Sequence, residues 1–250
     1  MRVTRSPMMI LLASLPALAA VAGCNYAPGN PAHEAAVPQP NTVTNFDALY
    51  QQNCAGCHGT RGQGGAANGL ESGVYLVIAD DSTIRRVTAE GVSGTSMPAF
   101  AQSSGGMLTD AQINSIVKGI RERGTIANLE GTVPPSYAAK TPGDAKRGAE
   151  VYNTFCSSCH GPGGSGTTKA SSIVDAAYLT LVSDQYLRTV VITGRPELGA
   201  PDWRADVPGR PMSEADVSDV VAWLSAQRPE RQGETASRVN STNAYTGATQ

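Results

Sequence analysis

Cys54-Ala55-Gly56-Cys57-His58 and Cys156-Ser157-Ser158-Cys159-His160 are the two stretches on which the reading of this 250-residue chain turns. In each, two thiols stand three positions apart and an imidazole follows at once. The whole chain has five cysteines and three histidines. A redox dithiol would give the adjacent histidine no role. A zinc site built from both stretches would need them to meet across the 102 positions that separate Cys54 from Cys156.

Cys-x-x-Cys-His is the attachment signature of c-type haem. The thiols add across the two vinyl groups, and the next imidazole lies beneath the iron as proximal ligand. The spacing is short because one rigid macrocycle fixes the vinyl groups and the iron. Two covalently bound haem c groups are therefore expected. Cys54 and Cys57 would hold the first, with His58 on its iron. Cys156 and Cys159 would hold the second, with His160.

The sequence around the motifs repeats. Leu49 and Tyr50 lead into the first as Val151 and Tyr152 lead into the second. Both pairs predict an apolar helix, the second starting near Asp144 after Pro142. A glycine run follows each motif (Gly59, Gly62, Gly64, Gly65; Gly161, Gly163, Gly164, Gly166). Glycine lets a backbone turn tightly beside a flat group. Each unit then closes with a capped helix. Thr109-Asp110-Ala111-Gln112 opens one, with Ile113, Ile116, Val117 and Ile120 at helical spacing. Ser213-Glu214-Ala215-Asp216 opens the other, with Val217, Val220, Val221 and Leu224. Equivalent positions are 102 apart at the cysteines and 104 apart at the caps. The pattern predicts an all-α chain with domains at 44–128 and 144–228 and a linker at 129–143. The remaining segments are a flexible tether at 24–43 and a polar, disordered tail at 229–250.

Composition agrees with units built around something other than their own side chains. Aromatic residues are 5%, against 27 glycines and 16 prolines. Net charge is −2 from 19 basic and 21 acidic residues. That leaves no basic excess to neutralise a phosphate backbone, so no nucleic-acid partner is expected. Each half is close to charge balance, without the single-sign field of an electrostatically steered shuttle.

Residues 1–23 read as an export signal: Arg2 and Arg5, then an apolar stretch from Met8 to Ala22 too short for a comfortable span. It ends Val21-Ala22-Gly23-Cys24, which resembles the lipobox of bacterial lipoproteins. That resemblance implies cleavage before Cys24, a lipid on Cys24, and attachment to a bacterial membrane with the domains on the periplasmic or extracytoplasmic side. An ordinary secretory signal is the alternative. Four prolines between Asn25 and Pro40 suit a tether.

The two units resemble class I cytochrome c domains in a tandem dihaem arrangement. The resemblance implies a small all-α fold around each haem and a methionine thioether on the far side of the iron, in a Met-Pro turn. The first unit offers Met97-Pro98, with Phe100 following. In the second unit Gly194 to Ala200 matches Gly91 to Met97, Pro201 matches Pro98, and Trp203 matches Phe100. The expected methionine is therefore Ala200, which has no donor atom. Met212, just before the cap Ser213, is the candidate ligand in its place. A vacant or water-bound iron is an alternative, as is a ligand from elsewhere, such as His33, Lys169 or a partner protein.

The function implied is electron transfer between respiratory or photosynthetic redox partners, not catalysis, by a protein held at the membrane through its N-terminal lipid. The chain would act as a carrier or as a subunit of a membrane oxidoreductase complex. A peroxidase-like dihaem oxidoreductase or a haem-based sensor is the alternative that Ala200 keeps open.

Overall fold

The computed structural model describes residues 38–129, 131–204 and 207–229. The signal, Cys24, His33, most of the tether, and the tail from residue 230 lie outside the described residues. Among the described residues every named element is helical, and the only pairings between extended segments are the isolated bridges Ala101–Leu108 and Arg195–Ala200. The chain is all-α, as expected. None of these helices is long and apolar enough to cross a membrane.

The first lobe contains α1 (Phe46–Asn53), α2 (Ala55–His58), α3 (Gly73–Ile78), α4 (Asp81–Glu90) and α5 (Asp110–Arg123). The second repeats the order: α6 (Ala145–Phe155), α7 (Ser157–His160), α8 (Ala176–Leu181), α9 (Asp184–Thr193) and α10 (Glu214–Ala226). Side-chain caps set where most of them begin. Asn45 accepts from Ala48 N–H at 2.9 Å, and Asp144 accepts from Lys146 N–H at 2.8 Å. The two capping boxes read from the sequence are present at Thr109/Gln112 and Ser213/Asp216. Each satisfies two amides that a helix start otherwise leaves open, and such a cap is worth about 1 kcal/mol.

In each lobe the first and last helices cross over the core. Leu49 and Tyr50 of α1 meet Ile113, Ile116 and Ile120 of α5 beneath Ile84 of α4. Val151, Tyr152 and Phe155 of α6 meet Val217 and Val220 of α10 beneath Ile192 of α9. Each such side chain contributes about 1.5–3 kcal/mol when fully buried.

The two crossings achieve close approach by opposite means. In the first lobe Gly119 of α5 faces the ring of Phe46 on α1, and a Cβ on Gly119 would collide with that ring. In the second lobe Gly148 of α6 faces the Asp219 carbonyl and the base of Trp223 on α10, and a Cβ there would collide with both. By the spacing of the repeat, Gly148 stands where Phe46 stands and Trp223 where Gly119 stands. The large and small partners have exchanged helices. Either way an aromatic ring lies against the tyrosine that leads into the motif. Phe46 lies 5.6 Å from Tyr50 between ring centroids, and Trp223 stacks on Tyr152 at 4.4 Å.

Both lobes belong to one compact unit that starts at Val43. The residues expected as a break between them are fastened to the lobes. Leu129 packs with the second lobe's core, and Tyr137 packs with the first lobe's. Arg188 of α9, 2% exposed, donates to the carbonyls of Ser136 at 2.9 Å and Tyr137 at 3.2 Å and pairs with Glu214. Glu214 in turn accepts from Ser136 N–H at 2.7 Å. Val74 and Ile78 of α3 pack in the second lobe's core with Trp203 and Phe155.

Candidate haem sites

The leading helix of each lobe runs straight into its motif. Cys54 closes α1 and opens α2, and its carbonyl accepts the Cys57 and His58 amides at 3.2 and 3.0 Å. Cys156 does the same for Cys159 and His160, again at 3.2 and 3.0 Å. A single helical turn thus carries two thiols and an imidazole. None of these four cysteines is in a disulfide. Cys54 is buried and Cys57 exposed; Cys156 is half-buried and Cys159 exposed. Burial pushes the Cys54 thiol up to about 11, against a downward pull from Arg123.

Each imidazole is oriented by the loop that follows it. Nδ1 of His58 lies 2.8 Å from the Asn68 carbonyl, and Nδ1 of His160 lies 2.8 Å from the Ser171 carbonyl. A carbonyl only accepts, so Nδ1 carries the proton. Nε2 then keeps its lone pair, which is the state a metal ligand needs. Burial holds His58 below the ordinary imidazole value, although its bond to Asn68 pulls the other way. The neutral ring is favoured.

The glycine runs form the loops that make this possible. Gly59 and Gly161 have φ of 83° and 75°, a region that favours glycine. Their carbonyls accept the hydroxyls of Tyr50, at 2.9 Å, and Tyr152, at 2.5 Å. The Gly64 amide returns to the His58 carbonyl at 2.9 Å, as the Gly166 amide does to His160 at 2.8 Å. In the first lobe Arg123 lies over Phe46 and Tyr50, 4.3 and 4.6 Å from their ring centroids.

The loops expected to supply the distal ligand superpose in their bonding. Val92 N–H donates to the Met97 carbonyl at 3.0 Å, and Arg195 N–H donates to the Ala200 carbonyl at 3.0 Å. Leu108 N–H donates to Phe100 at 2.7 Å, and Met212 N–H donates to Trp203 at 2.8 Å. Ala200 thus holds the place of Met97, and Met212 holds that of Leu108. Met97 is half-buried in its loop. Met212 is 2% exposed among Tyr152, Phe155, Trp203 and Val217. Lys169 is exposed, on the same loop as the Ser171 carbonyl that orients His160.

Two thiols and a free Nε2 on one turn, with a glycine loop folded back beneath, fit a covalently held haem. They do not form a bare-ion site. Among the described residues no three His, Cys, Asp or Glu side chains are grouped closely enough to hold a metal ion.

The match to a protein family agrees with this pattern. A family model described as "Cytochrome C oxidase, cbb3-type, subunit III" matches residues 41–118 and again 143–224, one match per lobe. The chain belongs to this family. As a cbb3-type subunit III relative it carries two tandem cytochrome c domains, each for one c-type haem. It is 28% identical over 139 residues to the cbb3-type cytochrome c oxidase subunit CcoP of Azospirillum sp. (strain B510). It is 32% identical over 134 residues to the subunit FixP of Azorhizobium caulinodans. Each match spans 49% of this chain and 40% of the relative. A chain of the Kuenenia stuttgartiensis reducing HAO-like protein complex aligns over 77% of this chain and all of its own length, at 18% identity and a TM-score of 0.41.

Several residues that shape the site were not singled out in the sequence. Asn68 and Ser171 act through backbone carbonyls, which no side-chain motif marks. Arg195 belongs to no motif, yet it pairs with Glu197 and donates to the Tyr186 hydroxyl at 3.1 Å and the Gly65 carbonyl at 2.7 Å.

Proposed function

We propose that this chain is a membrane-attached dihaem electron-transfer protein, serving as a subunit of, or immediate donor to, a membrane-bound terminal oxidase. Cys54 and Cys57 would hold the first haem and Cys156 and Cys159 the second, with His58 and His160 as proximal ligands and Met97 as the distal ligand of the first. Each haem, when bound, takes up and releases one electron. The observation that carries the reading is the duplicated imidazole geometry. Two motifs far apart in sequence each hold Nδ1 at 2.8 Å from a backbone carbonyl and leave Nε2 free.

The chain's part is to keep the iron ligands still. The Asn68 and Ser171 carbonyls fix the imidazole tautomer and plane. The Thr95 hydroxyl accepts the Met97 amide at 3.2 Å, and Pro98 stiffens the next bond. Met97, as a ligand of the first iron, would favour its reduced state and raise its potential. Ligands that stay in place on reduction leave little to reorganise, which suits electron transfer rather than substrate turnover. Attachment through a lipidated Cys24 would confine the domains to the extracytoplasmic membrane surface. The alternative of a dihaem oxidoreductase or sensor draws its support from Ala200.

Intact-mass and peptide analysis of the purified protein tests the assignment. Two haem adducts are expected, on the peptides with Cys54/Cys57 and Cys156/Cys159, and a diacylglyceryl adduct on Cys24. A colourless protein, or one carrying no adduct on these peptides, would remove the haem assignment. Stopped-flow mixing of the reduced protein with oxidase-containing membranes tests the role. Both haems should reoxidise, and oxidation no faster than in oxidase-free membranes rejects it.

A further inference from the structure

The geometry points to a binding site for a small exogenous ligand, a diatomic π-acceptor in the reduced protein, on the distal side of the second haem. The inference rests on the haem assignment proposed above. It starts from the backbone equivalence of the two distal loops. The amide of Arg195 donates to Ala200 as that of Val92 donates to Met97, both at 3.0 Å. Gly194 and Gly91 stand at the same turn, with φ of 67° and 70°. A Cβ on Gly91 would crowd Met97 and Pro98, and one on Gly194 would crowd Ala200 and Pro201. The second loop therefore delivers a methyl group where the first delivers a thioether. A methyl group has no electron pair to give.

Nothing else described takes that place. Met212 is the nearest thioether in sequence, but its backbone and packing are those of Leu108. A leucine fills the same position in the first lobe with no donor atom at all. Met212 packs between α6, α10 and Trp203, as Leu108 packs in the first core. Lys169 lies on the proximal loop, two residues before Ser171, and is exposed. The Arg195 guanidinium carries no lone pair for a metal and is taken up by Glu197, Tyr186 and Gly65. Asp202 pairs with Arg204 at 2.7 Å. His160 would thus be the one protein ligand that the described residues offer the second iron, whereas the first has His58 and Met97. The two lobes would divide the work, one haem sealed for electron transfer and one open to a small molecule.

Carbon monoxide titration of the dithionite-reduced holoprotein tests this, with haem counted separately as the pyridine haemochrome. Two haems and one carbon monoxide per chain are expected. Ala200→Met should abolish the uptake and double the near-infrared sulfur-to-iron band of the oxidised protein. Met212→Leu, a side chain the first lobe accepts at the same place, should leave both unchanged. No uptake by the wild type, or a band halved in Met212→Leu, overturns the proposal. A haem count below two overturns the haem assignment itself and is read independently of the gas.

Discussion

The Arg195 guanidinium crosses from the second lobe to the first and donates to the Gly65 carbonyl at 2.7 Å. Gly65 lies in the loop beyond His58, and Arg195 opens the loop that holds Ala200. The same side chain pairs with Glu197, whose carboxylate oxygen stands where a Cβ on Gly64 would go. The contact ties the two candidate sites together through backbone on one side and a half-buried ion pair on the other.

Arg195→Ala should therefore loosen both loops at once. Losing the bonds to Gly65, Tyr186 and Glu197 should cost about 2 kcal/mol. Hydrogen exchange read by mass spectrometry should speed up around residues 64–69 and 195–200, with α5 unchanged. Equal exchange in wild type and variant would show that the contact carries no load.

The helix crossings give an ordered pair of outcomes. Gly148→Ala drives a methyl into the Asp219 backbone carbonyl, which cannot turn aside. Gly119→Ala meets the root of the Phe46 ring, a side chain rather than backbone. Overpacking costs about 1–3 kcal/mol, offset by nearly 1 kcal/mol of helix propensity gained. Urea unfolding should show Gly148→Ala clearly destabilised and Gly119→Ala much less so. The reverse order would contradict the packing described.

Asp219 predicts an acid response. Bonds from Arg147 hold its carboxyl below the ordinary value, with burial opposing. The Arg147 bond is 2.8 Å from Nε, and the Asp144 amide adds another at 2.6 Å. A depressed folded value means the contribution is complete above the unfolded value of about 3.9 and is lost as pH falls through the folded one. Asp219→Asn should cost about 1 kcal/mol at neutral pH, since Arg147 is largely exposed. The gap from wild type should narrow below pH 4. Unfolding midpoints measured from pH 7 to 3 decide it, and a gap that stays constant would remove the assignment.

Arg188→Met should release the segment between the lobes. It takes a donor from the Ser136 carbonyl, the Ser218 hydroxyl and Glu214, while Gln185 still donates to the Tyr137 carbonyl at 2.8 Å. Glu214 can still reach water, at 29% side-chain exposure, so the loss should be about 2–3 kcal/mol rather than the full effect of a broken buried pair. Limited proteolysis should cut near residues 136–142 in the variant and spare the wild type.

Much of this was legible because the repeat wrote the same features twice. The motifs, both capping boxes and the apolar faces of α5 and α10 follow from local chemistry. So does the match of Ala200 to Met97, since it needs only counting from Gly91 and Gly194. The four middle helices were not picked out. α3 and α8 are six residues long, too short to show a period, and only Ser72 and Asp175 at their caps announce them. The segment at 129–143 reads as a break because of Pro134 and Pro135. Its attachment depends on Arg188, fifty residues away, whose burial no local pattern reveals. The orienting carbonyls of Asn68 and Ser171 are invisible to any reading of side chains.

The exchange of ring and glycine between the helices of each crossing makes the two lobes non-interchangeable as parts. A hybrid joining α1 to α10 would set Phe46 against Trp223 with no room for both. The reciprocal hybrid of α6 with α5 would set Gly148 against Gly119 and leave a hollow beside the motif tyrosine. Segment shuffling between the halves should thus fail in both directions unless the ring and the glycine travel together.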